Sequence, residues 1–172
     1  MPGFYDADGE KVRIEAEETL VALIRAGAER AGFGQQIAGA LAAARKLPGG
    51  VHLTERALLA TDVLSSLREA GAIQPVYRHG RTLLVPMPEV RIEFQAEQRR
   101  AVLDAVAHTP RPVEVEEQSE VRIVLRVESG SGDDAIDVAN YVYEQARPAM
   151  SAARLIQVVP RPGAGRPGSS PR

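Results

Sequence analysis

The chemistry open to this chain is limited first by the residues it lacks. None of its 172 residues is cysteine, which excludes disulfides, thiolate metal sites and a cysteine nucleophile. The histidines are His52, His79 and His108, and none of them forms the His-x-x-x-His pair of a helical metal site. No Gly-x-Ser-x-Gly segment is present, and Ser65-Ser66 falls within a predicted helix. We therefore predict no catalytic residue, no metal ligand and no cofactor.

Two acidic segments have the residue types of a cation site, and each has a simpler interpretation. The segment from Asp6 to Glu10 begins like a calcium loop, but a third acidic position and the downstream bidentate Glu are missing. Asp8-Gly9 is therefore interpreted as a hairpin turn. A glutamate cluster, with Glu114 and Glu116 alternating with valines, is typical of the solvated face of a strand. A metal-dependent enzyme using this acidic edge is the last of our three functional hypotheses.

The loop Gly130-Ser131-Gly132 lies between a predicted strand and a predicted helix. Glycines at such a position can bring backbone N–H groups to a phosphate. The next residues are Asp133 and Asp134, whose charges would repel that phosphate. Ser131 or Asp133 is therefore expected to cap the next helix, and N-capping is our interpretation of Asp133.

Four residues form the candidate nucleic-acid contacts: Arg56, Arg78, His79 and Arg81. Arg56 belongs to the third predicted helix, and the other three surround a predicted turn. The third helix also carries Glu55, Asp62 and Glu69 and is poor in side chains that read the major groove. Contact with nucleic acid is therefore the alternative hypothesis and not the first.

Charge is balanced overall but uneven along the chain. There are 21 Lys+Arg against 23 Asp+Glu, a net charge of −2. Residues 83–160 contain eight arginines and thirteen acids, whereas residues 161–172 contain three arginines and no acid. The acidic C-terminal half should repel phosphate backbones. The Arg/Pro/Gly tail at 161–172 has low complexity and is predicted to be disordered.

The first half predicts a hairpin and then three helices. The expected elements are a hairpin at 4–14, helices at 15–30, 35–46 and 54–70 with Thr54 as the last N-cap, and a second hairpin at 73–85. Three helices followed by a hairpin is also the element order of a winged helix. This resemblance is one of order, and it makes residues 1–86 a helical, winged-helix-like region.

The second half predicts a ferredoxin-like β-α-β-β-α-β unit at 87–160, with two helices on one face of an antiparallel sheet. Pro86 and Pro88 mark its expected boundary. The predicted elements are strands at 90–94, 113–116, 121–127 and 154–159, and helices at 96–108 and from about 131 to 147. The fold class is therefore α+β.

Function is predicted only as a class. With two modules and no catalytic constellation, we expect a non-enzymatic interaction, adaptor or regulatory protein, with a protein partner or self-association. The alternative is a DNA-binding transcriptional regulator with a ferredoxin-like sensing or dimerisation domain, as in some bacterial regulators. We find neither a signal peptide nor an apolar run of membrane-spanning length, so we expect a cytoplasmic protein without a membrane partner.

Overall fold

The N-terminal hairpin forms as predicted. In the computed structural model, which describes residues 2–159, β1 (Phe4–Ala7) pairs antiparallel with β2 (Glu10–Arg13). Asp8 and Gly9 have φ angles of 49° and 87°, the left-handed conformation that a two-residue hairpin turn of this type requires. The predicted tail at 161–172 lies outside the described residues.

The next part of the chain is a mixture of short strands and short helices. Its elements are β3 (Glu15–Ala16), β4 (Leu20–Ile24), α1 (Arg25–Arg30), α2 (Ala38–Ala43), β5 (Arg45–Leu47), β6 (Val51–Glu55), α3 (Thr61–Glu69) and β7 (Ile73–Gln74). Four of the strands form an antiparallel sheet, the N-terminal sheet, in the order β5-β6-β4-β7.

The prediction of three long helices is therefore wrong in this half. Leu20 to Ile24 is a continuous apolar run that forms a strand, because both of its faces are covered. Val21 and Leu23 pack with α1–α3, whereas Ala22 packs on the opposite side of the sheet. A run buried on both faces contains helical spacings by chance, so periodicity does not separate the two structures.

Thr54, the predicted N-cap, lies in β6 instead. Its hydroxyl donates to the carbonyl oxygen of Ala40 at 3.1 Å, which ties α2 to the sheet. The third helix begins only at Thr61, after Ala60, and has no side-chain cap. Strands β5 and β6 thus separate α2 from α3, and the predicted order of three successive helices is not observed.

The second hairpin forms, but its second strand is much longer than predicted. β8 (Tyr77–His79) pairs with the start of β9 (Thr82–Glu93), and β9 continues through Pro86 and Pro88. One edge of β9 pairs with β8 up to Leu84 and with a later strand only from Glu89. Both prolines lie in the gap between these partners, where that edge needs no N–H donor. They do not interrupt the strand, and a domain boundary at 86/87 stays a prediction.

The rest of the chain follows the predicted order of elements. It comprises α4 (Arg99–Ala107), β10 (Val113–Gln118), β11 (Arg122–Val127), α5 (Gly132–Ala146) and β12 (Met150–Val158). β9 lies between β11 and β12, β10 pairs with β11, and all of these pairs are antiparallel. Val102 of α4 and Ile136 of α5 pack in one core with Ile92 and Leu125, so both helices cover the same face of this C-terminal sheet.

The opposite face of the C-terminal sheet meets the N-terminal sheet at one end. Val85, Ile156 and Val158 form an apolar cluster with Val51 and Leu53 of β6. We call this contact between the two sheets the junction. Within residues 2–159, no helix has the length and apolar character needed to cross a membrane.

Asn140 fastens the N-terminal hairpin to α5. Its Oδ1 accepts a hydrogen bond from the N–H of Asp6, and its Nδ2 donates to the carbonyl oxygen of Phe4, both at 3.1 Å. We call the C-terminal sheet together with α4 and α5 the C-terminal unit. The hairpin is therefore held to this unit although 134 positions separate Asp6 from Asn140.

Candidate functional site: a cavity at the junction

A cavity of about 350 Å³ opens beside the junction, between the N-terminal sheet and the start of α5. We call it the junction cavity. Leu20, Val21 and Ile73 supply an aliphatic part of its wall. Its polar and charged lining residues come from distant parts of the chain: Glu17, Glu18, Arg56, Arg68, Gln74, Ser131 and Asp133. Cavities of this size, with an apolar wall and a few convergent polar groups, are typical of small-molecule sites.

Gln74 connects the two sides of the cavity. It is 1% exposed, its Nε2 donates to the carbonyl oxygen of Gly130, and its Oε1 accepts from the N–H of Gly132, both at 2.7 Å. One amide thus satisfies two backbone groups of the loop that leads into α5. Both polar atoms of this buried amide therefore take part in holding the loop.

The loop glycines are needed because backbones approach closely here. A Cβ added to Gly130 would lie 3.1 Å from the Cα of Gly71, and one added to Gly132 would lie 2.1 Å from the carbonyl oxygen of Pro86. Neither distance leaves room for a side chain without movement of the backbone. The sequence shows the glycines but not the neighbours that require them.

Asp133 does not act as the predicted helix cap. Ser131 occupies the N-cap position and makes no side-chain cap bond, whereas Asp133 accepts a 2.6 Å hydrogen bond from the hydroxyl of Tyr77. Burial raises the pKa of Asp133, and the Tyr77 hydrogen bond opposes that rise. Burial and the bond to Asp133 raise the pKa of Tyr77. Titratable groups perturbed in this way are concentrated at functional sites, although structural networks also produce them.

Of the three carboxylates that line the cavity, only Glu17 forms an ion pair within residues 2–159. It accepts hydrogen bonds from the guanidinium of Arg78 and from the hydroxyl of Thr19. These bonds lower the pKa of Glu17 from 4.5 to about 2. Glu17 therefore stays ionised below pH 4.5 as well as at neutral pH, and its ion pair holds Arg78 next to the cavity.

The structure separates the predicted nucleic-acid contacts into two places. Arg56 begins a short 3-10 helix and lines the junction cavity. Arg78, His79 and Arg81 belong to the β8–β9 hairpin, where the Nδ1 atom of His79 lies 3.0 Å from the carbonyl oxygen of Arg13. Arg78 is already paired with Glu17. Their contact with nucleic acid stays a prediction.

The glutamate cluster, interpreted from the sequence as a solvated strand face with a cation site as the alternative, is partly paired with arginines. Glu116 forms an ion pair with Arg126, and Glu117 forms one with Arg122. Within residues 2–159, no group of three or more histidine, aspartate or glutamate side chains is arranged to hold a metal ion.

Comparisons with known proteins leave the identity of the chain open. No family model matches it, and no curated protein matches it. One similar solved structure is the ligand-free regulatory subunit of aspartate kinase from Thermus thermophilus, with 16% sequence identity and a TM-score of 0.21. That match covers 77% of this chain and 96% of the other. With so low a TM-score, function has to be argued from the residues of the chain itself.

Proposed function

We propose that this chain is a non-enzymatic regulatory protein that binds a small polar molecule in the junction cavity. The observation that carries the proposal is the position of the cavity, between the N-terminal sheet and the start of α5, beside the apolar cluster through which the two sheets pack. A molecule bound there contacts the N-terminal sheet and the start of α5 at the same time. Ligand sites occur preferentially at such interfaces.

The charged residues of the cavity favour a ligand with an anionic group and a separate hydrogen-bond donor. Neither Arg56 nor Arg68 forms an ion pair within residues 2–159. Guanidinium groups bind carboxylates through paired hydrogen bonds. Asp133 and Glu18 add acceptors to the same cavity. We therefore expect a small carboxylate that also carries a hydrogen-bond donor, because a phosphate would bring more negative charge close to these acids.

Gln74 and Asp133 couple binding of the ligand to docking of the two sheets. Both line the cavity, and Gln74 also holds the loop before α5 through Gly130 and Gly132. A ligand that fits only when the two sheets are docked stabilises the docked form by its difference in affinity for the two forms. Ligand binding would then be transmitted as tighter docking.

The C-terminal unit supports a second, structural part of the proposal. Within its six-stranded sheet, which also contains β8 and β3, the strands β10-β11-β9-β12 are antiparallel and carry two helices on one face. This arrangement supports a ferredoxin-like fold. We propose that this unit is the scaffold against which the N-terminal sheet moves.

Thermal unfolding of the full chain with a panel of small molecules tests the proposal. The panel contains hydroxy and amino carboxylates, the matching methyl esters and the matching phosphates. We expect a saturable rise in Tm with the carboxylates alone. The rise should disappear in Arg56→Gln/Arg68→Gln and persist in Arg45→Gln/Arg13→Gln, which removes the same charge away from the cavity lining.

Two results would contradict the proposal. If no member of the panel changes Tm, the junction cavity is not a site for this class of ligand. If the double cavity variant keeps the full response, the ligand binds elsewhere.

A further inference from the structure

The outermost strand of the C-terminal sheet is open to another strand. Among residues 2–159, β10 pairs with β11 alone, and every residue from Glu114 to Gln118 is exposed. β10 has a bulge between Val115 and Glu117, so the regular template for strand addition is the segment from Val113 to Val115. Segments of other proteins bind sheet edges in this way, with backbone bonds for affinity and side-chain pockets for specificity.

An open groove, lined by apolar side chains together with Thr109 and Arg111, runs beside this edge. It has a volume of about 530 Å³ and lies between β10 and the end of α4. Val115 stands opposite Leu125, whose side chain belongs to the core beneath the helices, so Val115 projects on the groove side. Val115 is nevertheless 47% exposed. The apolar lining comprises Val106, Ala107, Pro110, Pro112, Val113 and Val115.

The wall of the groove is held in place before any partner binds. The hydroxyl of Thr109 lies 3.3 Å from the carbonyl oxygen of Val106 and 2.9 Å from that of Arg111. The guanidinium of Arg111 is held by Asp134 at 3.1 Å and by Asp137 at 3.8 Å. A preformed groove reduces the ordering cost of binding.

Charge selects the occupant. Residues 112–121 contain four glutamates and neither lysine nor arginine. Glu116 and Glu117 pair with arginines of β11, which leaves Glu114 and Glu120 without an ion pair among residues 2–159. Two copies of β10 side by side would place glutamates near glutamates, which is unfavourable. A strand with basic residues would instead place positive charge next to the glutamates of β10.

We propose that β10 and its groove bind an extended segment of a partner protein in which basic residues alternate with small apolar residues. The segment adds as a further strand next to β10. Because strand side chains alternate, its apolar residues enter the groove while its basic residues approach the glutamates. This surface is separate from the junction cavity and does not depend on a ligand there.

Titration of the full chain, labelled with nitrogen-15, tests the proposal by NMR. The probes are a synthetic peptide of alternating valine and lysine, one of alternating valine and glutamate, and a valine–lysine peptide methylated on the backbone nitrogens of one edge. We expect the first peptide to shift the amide signals of residues 113–118. The glutamate peptide and the methylated peptide should bind at least about tenfold more weakly.

Charge reversal supplies a matched pair of variants. Glu114→Lys/Glu120→Lys should weaken binding of the lysine peptide about tenfold, because two favourable surface charge contacts become unfavourable. Asp62→Lys/Glu97→Lys makes the same change in net charge away from β10 and should leave the affinity unchanged. All four residues are exposed, so both variants should fold.

Several outcomes would overturn the proposal. Equal binding of the lysine and glutamate peptides, or equal effects of the two variants, would show that charge does not select the partner. Unchanged affinity of the methylated peptide would show that the segment does not bind by backbone hydrogen bonds to β10. Signals of residues 113–118 that change with protein concentration alone point to a second copy as the occupant. Signals that change when residues 160–172 are deleted point to the chain's own terminus.

Discussion

The two ends of one face of the C-terminal sheet have opposite characters. At one end, Leu83, Val85 and Met87 of β9 pack in the cluster that forms the junction. By strand alternation Arg91 and Glu93 continue the same face, and both are exposed. One uninterrupted strand therefore provides a docking surface and a solvated surface in succession.

This difference shows what limits the contact between the two sheets. The charged end is arranged in cross-strand pairs, with Arg126 opposite Glu89 and Arg122 opposite Glu93. Such pairs stabilise a solvated sheet face, and burying them under a second sheet would remove their hydration. The N-terminal sheet covers the apolar end, and the change in side-chain chemistry after Met87 marks where that covering is no longer favourable.

The largest predicted effect concerns the close contact between the first residue of α5, Gly132, and Pro86 of β9. Gly132→Ala would place a Cβ 2.1 Å from the carbonyl oxygen of Pro86. Because both groups are backbone or bonded to it, we expect a loss of about 3 kcal/mol in the free energy of unfolding, measured in urea. Gly39→Ala is the control, since it has open space and lies within α2, and it should stabilise by up to about 1 kcal/mol. Equal effects would show that the contact with Pro86 is not limiting.

The second prediction compares the two ends directly. Val85→Ala removes two methyl groups from a fully buried position and should cost about 2.5 kcal/mol. Arg91→Ala truncates an exposed side chain on the same face of the same strand and should change stability by less than about 0.5 kcal/mol. Chemical denaturation of both variants gives the ratio. A large cost for Arg91→Ala would mean that the charged end is also covered in solution.

The third prediction concerns the amide that joins the two units. Gln74→Leu preserves the bulk of the side chain but leaves the carbonyl of Gly130 and the N–H of Gly132 without their partner. We expect a loss of about 2 kcal/mol in the free energy of unfolding. Relative to the wild type, amide hydrogen exchange should increase more in the 128–132 loop than in β11. If exchange in that loop is unchanged, Gln74 does not hold it.

The smallest effect is a pH dependence at the edge of the junction cavity. The bonds from Arg78 and Thr19 lower the pKa of Glu17 to about 2. A lowered pKa stabilises the folded state above the unfolded value of 4.5, and this stabilisation is lost as pH falls toward 2. At pH 7 the wild type should exceed Glu17→Gln by up to about 1 kcal/mol, a small value because Arg78 is half exposed.

Urea unfolding of both proteins between pH 7 and pH 2.5 checks this prediction. The difference should narrow steadily below pH 4.5. Glu18→Gln is the control for loss of one charge at the next position. A difference that stays constant with pH would show that Glu17 contributes by packing and not by ionisation.

The second half of the chain was largely predictable from local signals. Val90 to Phe94 and Val121 to Val127 alternate apolar and polar residues, and Pro148 follows the last helix. Such alternation and termination depend on neighbouring residues only, which is why the order of elements could be inferred. The turns at Asp8-Gly9 and Gly80 were predictable for the same reason.

The first half was not predictable in this way. Leu20 to Ile24 is covered on both faces, so its sequence carries no alternation to distinguish a strand from a helix. Thr54 has the side chain of a helix cap, yet its hydroxyl bonds to Ala40 of α2. Pro86 and Pro88 have the character of strand breakers, and only the gap between β8 and β11 shows why β9 tolerates them.

The sequence by itself determined the exclusion of cysteine chemistry, the turns, and the order of elements after Glu89, because each depends on composition or on neighbours along the chain. Only the tertiary structure decided the junction cavity. Glu17, Arg56, Gln74 and Asp133 come from four separate segments, and their convergence depends on which faces of two sheets are apolar enough to pack. That packing is a long-range property, so no local pattern records where the charged groups meet.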